Sequence, residues 1–587
     1  MGIPSYFSYI VKNHGNIINK LNNKTLSHIG GKIDNLYLDS NSIIYDTYHL
    51  LMKQYSSASS NITKKSFEQI LINETCKTIE KYIKQIGPTS CVIIAFDGVA
   101  PVAKLEQQRN RRYKSWFMTT LEKEYKSKYN NGNKKEQKKE QTTFEWNTSN
   151  ITPGTEFMNT LSDHVNMYFS NTKTSELKLN KVIISSTKEE GEGEHKIFQY
   201  IRDNKKYHRN TTSVIYGLDA DLIMLTLNHL HISENLYLFR ETPHFIRQID
   251  SSLDPNMTYM MNIPKLGKII AQELSGKTLK TNTLDKRTLL YVNDYILICF
   301  LLGNDFMPHF PALNIRTNGI QYMINAYIET VGKHNYHLSK DGVLHWKNIR
   351  RFIGYLAENE EKYLKNEYKL RSRLEKRRHN RDDSNDEDIF KSIESKLLTM
   401  PIKRRQKEKY IDPNTYGWEN RYYKILFKTD IDDIRLKQIC KNYLEALEWT
   451  YKYYNTNCYD WRWCYKYNYP PLLKHLIKYI PYFDTEFISE KPKVAVTPYT
   501  QLSYVLPTSY LNLLPKHIEI MLKEKHNIWY DNSDIDFEWS FCKYFWESHV
   551  CLPHINLDIL EKDIDLCVKQ ESMRKKFEKP FDFSYLH

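Results

Sequence analysis

The sequence predicts an α/β fold: a mostly parallel central sheet flanked by helices, with a second, largely helical region packed against it. Three observations support this. At 587 residues the chain exceeds what one ordinary core can organise. Up to about residue 330, short β-branched runs alternate with longer amphipathic segments, the βαβ pattern. From "GWENRYYKILF" (Gly417 to Phe427) onward, apolar and aromatic residues return in a separate block. We divide the chain into a first domain over 1–330, a charged helical linker over 331–410 and a second region over 411–587.

Four runs read as strands: "IDNLYLD", "SCVIIAFD", "KVIISS" and "TSVIYGLD", each too short for a core helix. Three of them end in an acid, at Asp39, Asp97 and Asp219. Ligands of open parallel sheets sit in the crevice beyond the carboxyl ends of the strands. Asp221 joins Asp219; were the strand to stay extended there, both side chains would point the same way. In "KEEGEGEHKI" (Lys188 to Ile197) the acids Glu192 and Glu194 follow a strand and open a helix. Carboxylates at i and i+2 diverge on a regular helix, so the intervening glycines are expected to hold the first on a turn. "FLLGNDFMPH" ends an apolar helix and leaves Asp305 on the following loop.

So many carboxylates on one edge repel one another unless cations intervene. The set is rich in acids and lacks Cys or His pairs, which favours Mg²⁺ or Mn²⁺ over zinc. Two such ions suit phosphodiester cleavage. Directly after Asp97, "GVAPVAKLEQQRNRRYKS" is expected to turn helical from about Ala103. Lys104, Gln108, Arg111 and Arg112 would then share a face, as a terminal phosphate requires.

A net charge of +14 suits a polyanionic partner, nucleic acid first and a membrane surface second. Nine scattered cysteines without a CxxC pair argue against zinc and against a disulfide framework, which implies a reducing, intracellular compartment. "MGIPSYFSYI" lacks the features of a signal peptide, and Tyr6 stands where myristoylation wants Ser or Thr. The longest apolar run, "YILICFLL", is far short of a bilayer span. "YNNGNKKEQKKEQTT" (Tyr129 to Thr143) is expected to be a polar excursion, and the charged stretch from Tyr368 to Tyr410 a linker or exposed helical excursion, with RNA contact or a nuclear-import signal as alternatives.

These motifs together resemble the XRN family of 5′→3′ exoribonucleases. "MGIPSYFSYI", "LYLDSNSIIYD", "FDGVAPVAKLEQQRNRRYKS", "NITPGTEFM", "GEGEHKIFQYIR", "YGLDADLIML" and "FLLGNDFMPHFPAL" look like that family's first conserved region. "GWENRYYKILF", "WRWCYKYNYPP", "PYTQLSYVLP" and "FWESHVCLPHINLDIL" look like its second, with no long C-terminal extension after it. The resemblance implies a PIN/flap-nuclease-like catalytic domain and a processive, Mg²⁺-dependent enzyme acting on single-stranded RNA with a 5′-monophosphate. It assigns Asp39, Asp97, Glu192, Glu194, Asp219, Asp221 and Asp305 to two metal ions, with Mn²⁺ as substitute. Lys104, Gln108, Arg111 and Arg112 match the 5′-phosphate pocket, too small for a cap or triphosphate. Tyr45 replaces the family's base-stacking His, and Trp546 is the candidate for the opposing Trp. We expect a monomer in the cytoplasm rather than the nucleus.

Two other readings remain at this stage. A flap-endonuclease-like DNA 5′-nuclease would carry a Gly-rich helix-hairpin-helix after its last Asp, where this chain has "FMPHFPALNIRTNGI". A catalytically inactive RNA-binding protein would be expected to have lost acids, and all seven are present.

Overall fold

A computed structural model describes residues 2–22, 32–55, 62–130, 146–275, 284–379, 389–532 and 535–577. Most of the polar stretch 129–143 therefore lies outside the described residues. Seven strands form the main sheet: β1 (Ile18–Lys20), β2 (Asn35–Asp39), β3 (Cys91–Ala95), β4 (Lys181–Ser185), β5 (Ser213–Tyr216), β6 (Leu236–Glu241) and β7 (Thr258–Met261). Their order is β1-β7-β6-β5-β2-β3-β4. The five from β6 to β4 pair in parallel; β7 and β1 close one edge antiparallel. The chain thus winds outward in two directions from the β2–β5 pair, and a crevice opens beyond the carboxyl ends of those strands.

The strand runs are apolar on both sides because both faces are covered. Tyr37, Ile93, Ile215 and Leu238 face one core; Leu36, Leu38, Val92, Ile94, Val214 and Phe239 face the other. That alternation is the period-2 geometry of a strand. The second face packs on helices Lys64–Ile86 and Glu156–Tyr168. The first continues without a break through helices Asp221–Asn228 and Lys286–Phe300 into the aromatic residues of the second region, Trp449, Tyr453, Tyr454 and Trp463 among them.

The second region is helical apart from small two-stranded pieces such as Asp536–Glu538 with His549–Cys551. It is stitched to the loop after β3: Val102 N–H donates to the Trp461 carbonyl at 2.9 Å, and Ala100 N–H to Gln501 Oε1 at 2.9 Å. No helix of the described residues is long and apolar enough to cross a membrane.

The stretch 368–410 differs from an exposed excursion at both its ends. It continues the helix Trp346–His379, where Arg371 is buried. Its guanidinium meets Glu408 Oε1 at 2.7 Å and Oε2 at 3.0 Å, and Arg405 Nε reaches the same carboxylate at 2.6 Å. Charges far apart in the chain look solvated in one dimension and are mutually satisfied in three.

Candidate active site

Each acidic side chain reaches the crevice from a different strand end, turn or helix start. Asp39 is the last residue of β2, and Asp97 lies two residues beyond β3. Gly191, at φ +103°, turns the chain so that Glu192 precedes the helix Gly193–Asp203 and Glu194 lies in its first turn. Gly193 must be bare: a Cβ there would stand 2.7 Å from Asp39 Oδ1, and its N–H donates to Asp97 Oδ1 at 2.8 Å. Asn41 Nδ2 donates to the other Asp97 oxygen at 2.6 Å.

Asp219 and Asp221 follow β5, but not as an extended pair. The strand stops at Tyr216, and Asp221 is the first residue of the helix Asp221–Asn228. Chain reversal, not the pleat, brings the two carboxylates to the site. Asp305 arrives from the loop beyond helix Lys286–Phe300.

All seven acids lie within electrostatic reach of others in the set. Burial, then Asp97 and Asp219, push the Asp39 carboxyl well above the usual range. Burial, then Asp221 and Glu192, do the same to Glu194. Asp221 is pushed up to about 7 by burial and by Asp305. Burial alone would lift Asp305 too, but the Lys104 ammonium together with other positive charge, Arg111 included, holds that carboxyl low. Among the described residues, buried Asp221 Oδ1 has no hydrogen-bond partner. Crowded, partly uncompensated oxygens suit a hard divalent cation.

Lys104, expected in the phosphate pocket, also contacts the acids. Its ammonium lies 2.6 Å from Glu192 Oε1 and 2.5 Å from Asp305 Oδ2, an internal counterion for the acids. Gln107 Nε2 adds a hydrogen bond to Asp305 at 3.1 Å. The rest of the basic face lies along the helix Val102–Asn130. Arg112 is buried, its Nε without a partner, and burial pulls its guanidinium down to about 10 although nearby Tyr45 acts in the opposite sense. Buried Gln108 Oε1 also lacks a donor; a half-turn of the amide would present its NH₂ instead. Arg111 is exposed, within electrostatic reach of Tyr45, Asp219 and Asp305.

Tyr45 therefore stands at the guanidinium end of the site. Trp546 is 43% exposed and stacks on Tyr544, centroids 5.8 Å apart. Its carbonyl accepts from Lys114 Nζ at 2.7 Å, which ties it to the same basic helix two residues beyond Arg112. The Tyr45 and Trp546 rings do not contact each other.

Three site neighbours were missed in the sequence. His195 lies with Glu192 and Glu194, their ligand-type atoms within 4.8 Å of one another. Its ring stacks on Tyr453 at 3.7 Å, the end of a pile that continues through Trp449 to Trp463. Tyr453 donates to Glu192 Oε2 at 3.0 Å, and Tyr454 lies within electrostatic reach of Asp221. The string "GEGEH" could have flagged His195; nothing local flags two tyrosines in a Tyr-rich helix.

The comparisons with known proteins cover both regions. The family model described as XRN 5'-3' exonuclease N-terminus matches residues 1–242, and that of the Xrn1 helical domain matches 289–415 and 403–575. The 5'-3' exoribonuclease 1 of Saccharomyces cerevisiae is 24% identical over 100% of this chain and 45% of its own length. The 5'-3' exoribonuclease 2 of Arabidopsis thaliana is 26% identical over 94% and 66%, respectively. The 5'-3' exoribonuclease 1 of Homo sapiens is 27% identical over 98% and 34%. The chain thus spans from 34% to 66% of the length of these three curated relatives.

Proposed function

The chain belongs to the XRN family of 5′-3′ exonucleases, and from that premise we propose that it is a processive 5′→3′ exoribonuclease. Its substrate is single-stranded RNA with a 5′-monophosphate, left by decapping or internal cleavage in the cytoplasm, and its products are 5′-mononucleotides. One observation carries this reading: acids from separate segments crowd one crevice within electrostatic reach of Arg111, whose neighbour Arg112 is buried with its Nε unpartnered.

Asp39, Asp97, Glu192, Glu194, Asp219, Asp221 and Asp305 would hold two Mg²⁺ ions, with Mn²⁺ as substitute. When bound, the ions would lower the pKa of an attacking water and stabilise charge on the scissile phosphate. The remaining work falls to side chains. Arg111, Arg112 and Gln108 grip the terminal phosphate, with guanidinium geometry matched to its oxygens. Tyr45 offers a ring to the first base and Trp546 the opposing ring, which sets the scissile bond over the acids. Lys104 compensates Glu192 and Asp305 and adds positive charge between acids and phosphate pocket. Each cleavage leaves a new 5′-phosphate, so the remaining strand is again substrate.

The test is a time course in Mg²⁺ on single-stranded RNA and DNA carrying 5′-phosphate, 5′-hydroxyl or cap. We expect stepwise loss of mononucleotides from 5′-phosphate RNA alone. Asp219→Ala with Asp221→Ala should lower the rate by at least about 10³-fold, the scale of lost electrostatic stabilisation, while the unfolding temperature does not fall. Arg111→Ala with Arg112→Ala should erode mainly the preference for 5′-phosphate. Equal degradation of 5′-phosphate and 5′-hydroxyl RNA by the unsubstituted protein would refute the phosphate pocket.

A further inference from the structure

The described parts of the charged stretch 368–410 are not used by the nuclease chemistry, yet they help build a cleft. A concavity of about 470 Å³ lies between the outer face of the helix Trp346–His379 and the segment that includes Arg405 and Lys409. Lys369, Arg373 and Lys376 line it, and all three are exposed. Arg405 and Lys409 also face it, and both are compensated by Glu375, at 3.2 Å and 2.6 Å. The other acid on the wall, Asp412, accepts through Oδ1 from the backbone and side-chain nitrogens of Asn414. Among the described residues, no carboxylate pairs with Lys369, Arg373 or Lys376.

We propose that this cleft is a second RNA-binding surface, which takes the phosphodiester backbone of a strand whose 5′ end occupies the nuclease site. The inference rests on the exoribonuclease reading for its choice of polyanion. Three surplus cations directed at one concavity repel one another and are stabilised by a partner with repeated negative charge. Positions 369, 373 and 376 recur about once per helical turn, roughly every 5 Å, a stagger that a string of phosphates can follow. The wall is held in place from behind: Tyr368 Oη donates to the Glu408 carbonyl at 3.0 Å. Arg371 bonds Glu408 and the carbonyls of Phe541 and Cys542, at 3.2 Å and 2.9 Å. The helix that presents the cations outward thus also anchors, through Arg371, the segment leading to Trp546.

The experiment compares the full chain carrying Asp219→Ala and Asp221→Ala with the same chain carrying also Lys369→Glu, Arg373→Glu and Lys376→Glu. Affinity for 5′-phosphorylated oligouridine of about ten and about forty nucleotides is measured across a KCl series. Single strands contribute a slope of about 0.7 per phosphate contacted, so loss of three contacts should flatten the salt dependence on the long RNA by about 2. The short RNA should bind unchanged. In the nuclease-active background the triple variant should turn over the short RNA normally and dissociate sooner from the long one. The glutamine triple should shift the long-RNA slope in the same direction, which separates lost contact from misfolding. An unchanged slope on long RNA, or equal loss on short and long, overturns the proposal. If the unsubstituted protein degrades no RNA and the slope shift persists, the nuclease reading fails and the cleft stands.

Discussion

Gly2 shows how little room a single position leaves at the site. It is buried at φ +52°, and a Cβ built there would stand 2.2 Å from Asp221 Oδ1 and 2.7 Å from the Asp221 backbone nitrogen. The carboxylate could rotate away, but the backbone of the first helical residue cannot. The left-handed conformation adds about 1–2 kcal/mol for any L side chain. Gly2→Ala should therefore displace Asp221 and weaken metal binding. We expect a fall in activity of about 10-fold or more, partly restored by raised Mg²⁺, with the unfolding temperature changed by only a few degrees. A Mg²⁺ titration of rate alongside thermal unfolding checks this; wild-type activity in Gly2→Ala would show that Gly2 does not set the position of Asp221.

One helix of the second region, Asp433–Asn455, controls two of the acids through adjacent residues. Tyr453 and Tyr454 lie at its last turn; the Tyr453 hydroxyl bonds Glu192, and Tyr454 acts electrostatically on Asp221. Groups that orient metal ligands are worth about 10- to 100-fold in affinity or activity. Tyr453→Phe keeps the ring stack against His195 and removes only the hydroxyl, so it should raise the Mg²⁺ concentration for half-maximal rate about 10-fold with little loss of stability. An unchanged Mg²⁺ requirement would reduce Tyr453 to a packing residue. The same helix marks the boundary of what the sequence makes legible. Strands β2 to β5 and their terminal acids are readable because strand period and turn chemistry are local. The remaining strands, β1, β6 and β7, sit at one edge of the sheet; β6 also ends in an acid, Glu241, which accepts from the Tyr82 and Tyr216 hydroxyls. Tyr453 and Glu192 are 261 residues apart, and their hydrogen bond exists only through packing of the second region on the sheet. The misread charged segment has the same cause, since Arg371 and Glu408 find each other across 37 residues. The helical face of Lys104 gives its direction but not the depth at which it also meets Asp305.

At the scale of the whole molecule, buried ionisable groups set opposing pH dependences, and metal decides which prevails. His208 is fully buried, and burial pulls its imidazole down to about 4. An unfolded histidine titrates near 6.5, so between roughly pH 6.5 and 4 the unfolded chain binds the extra proton. Stability from this group is thus present at neutral pH and lost as pH falls, by on the order of 3 kcal/mol in full. His309 and His475, held at about 4 by burial as well, act in the same direction with smaller effect because both are partly exposed. Asp221 has the opposite sign. With its carboxyl at about 7 in the fold and near 3.9 unfolded, the folded state holds the extra proton across that window, and stability falls as pH rises. Asp39 and Glu194, raised by burial and by their acidic neighbours, add to it. Under chelation the two groups partly cancel, and stability should change little between pH 5 and pH 7. With Mg²⁺ bound the acids are kept ionised in the fold, their contribution reverses, and protons compete with metal. Urea unfolding at pH 7, 6 and 5 should therefore show a steep loss toward acid in Mg²⁺ and a shallow one in chelator, the two curves diverging most at pH 7. His208→Gln should reduce the acid loss in both conditions by a similar amount. Parallel curves with and without Mg²⁺ would mean that the crowded carboxylates do not bind the ion, and the metal assignment would fall with them.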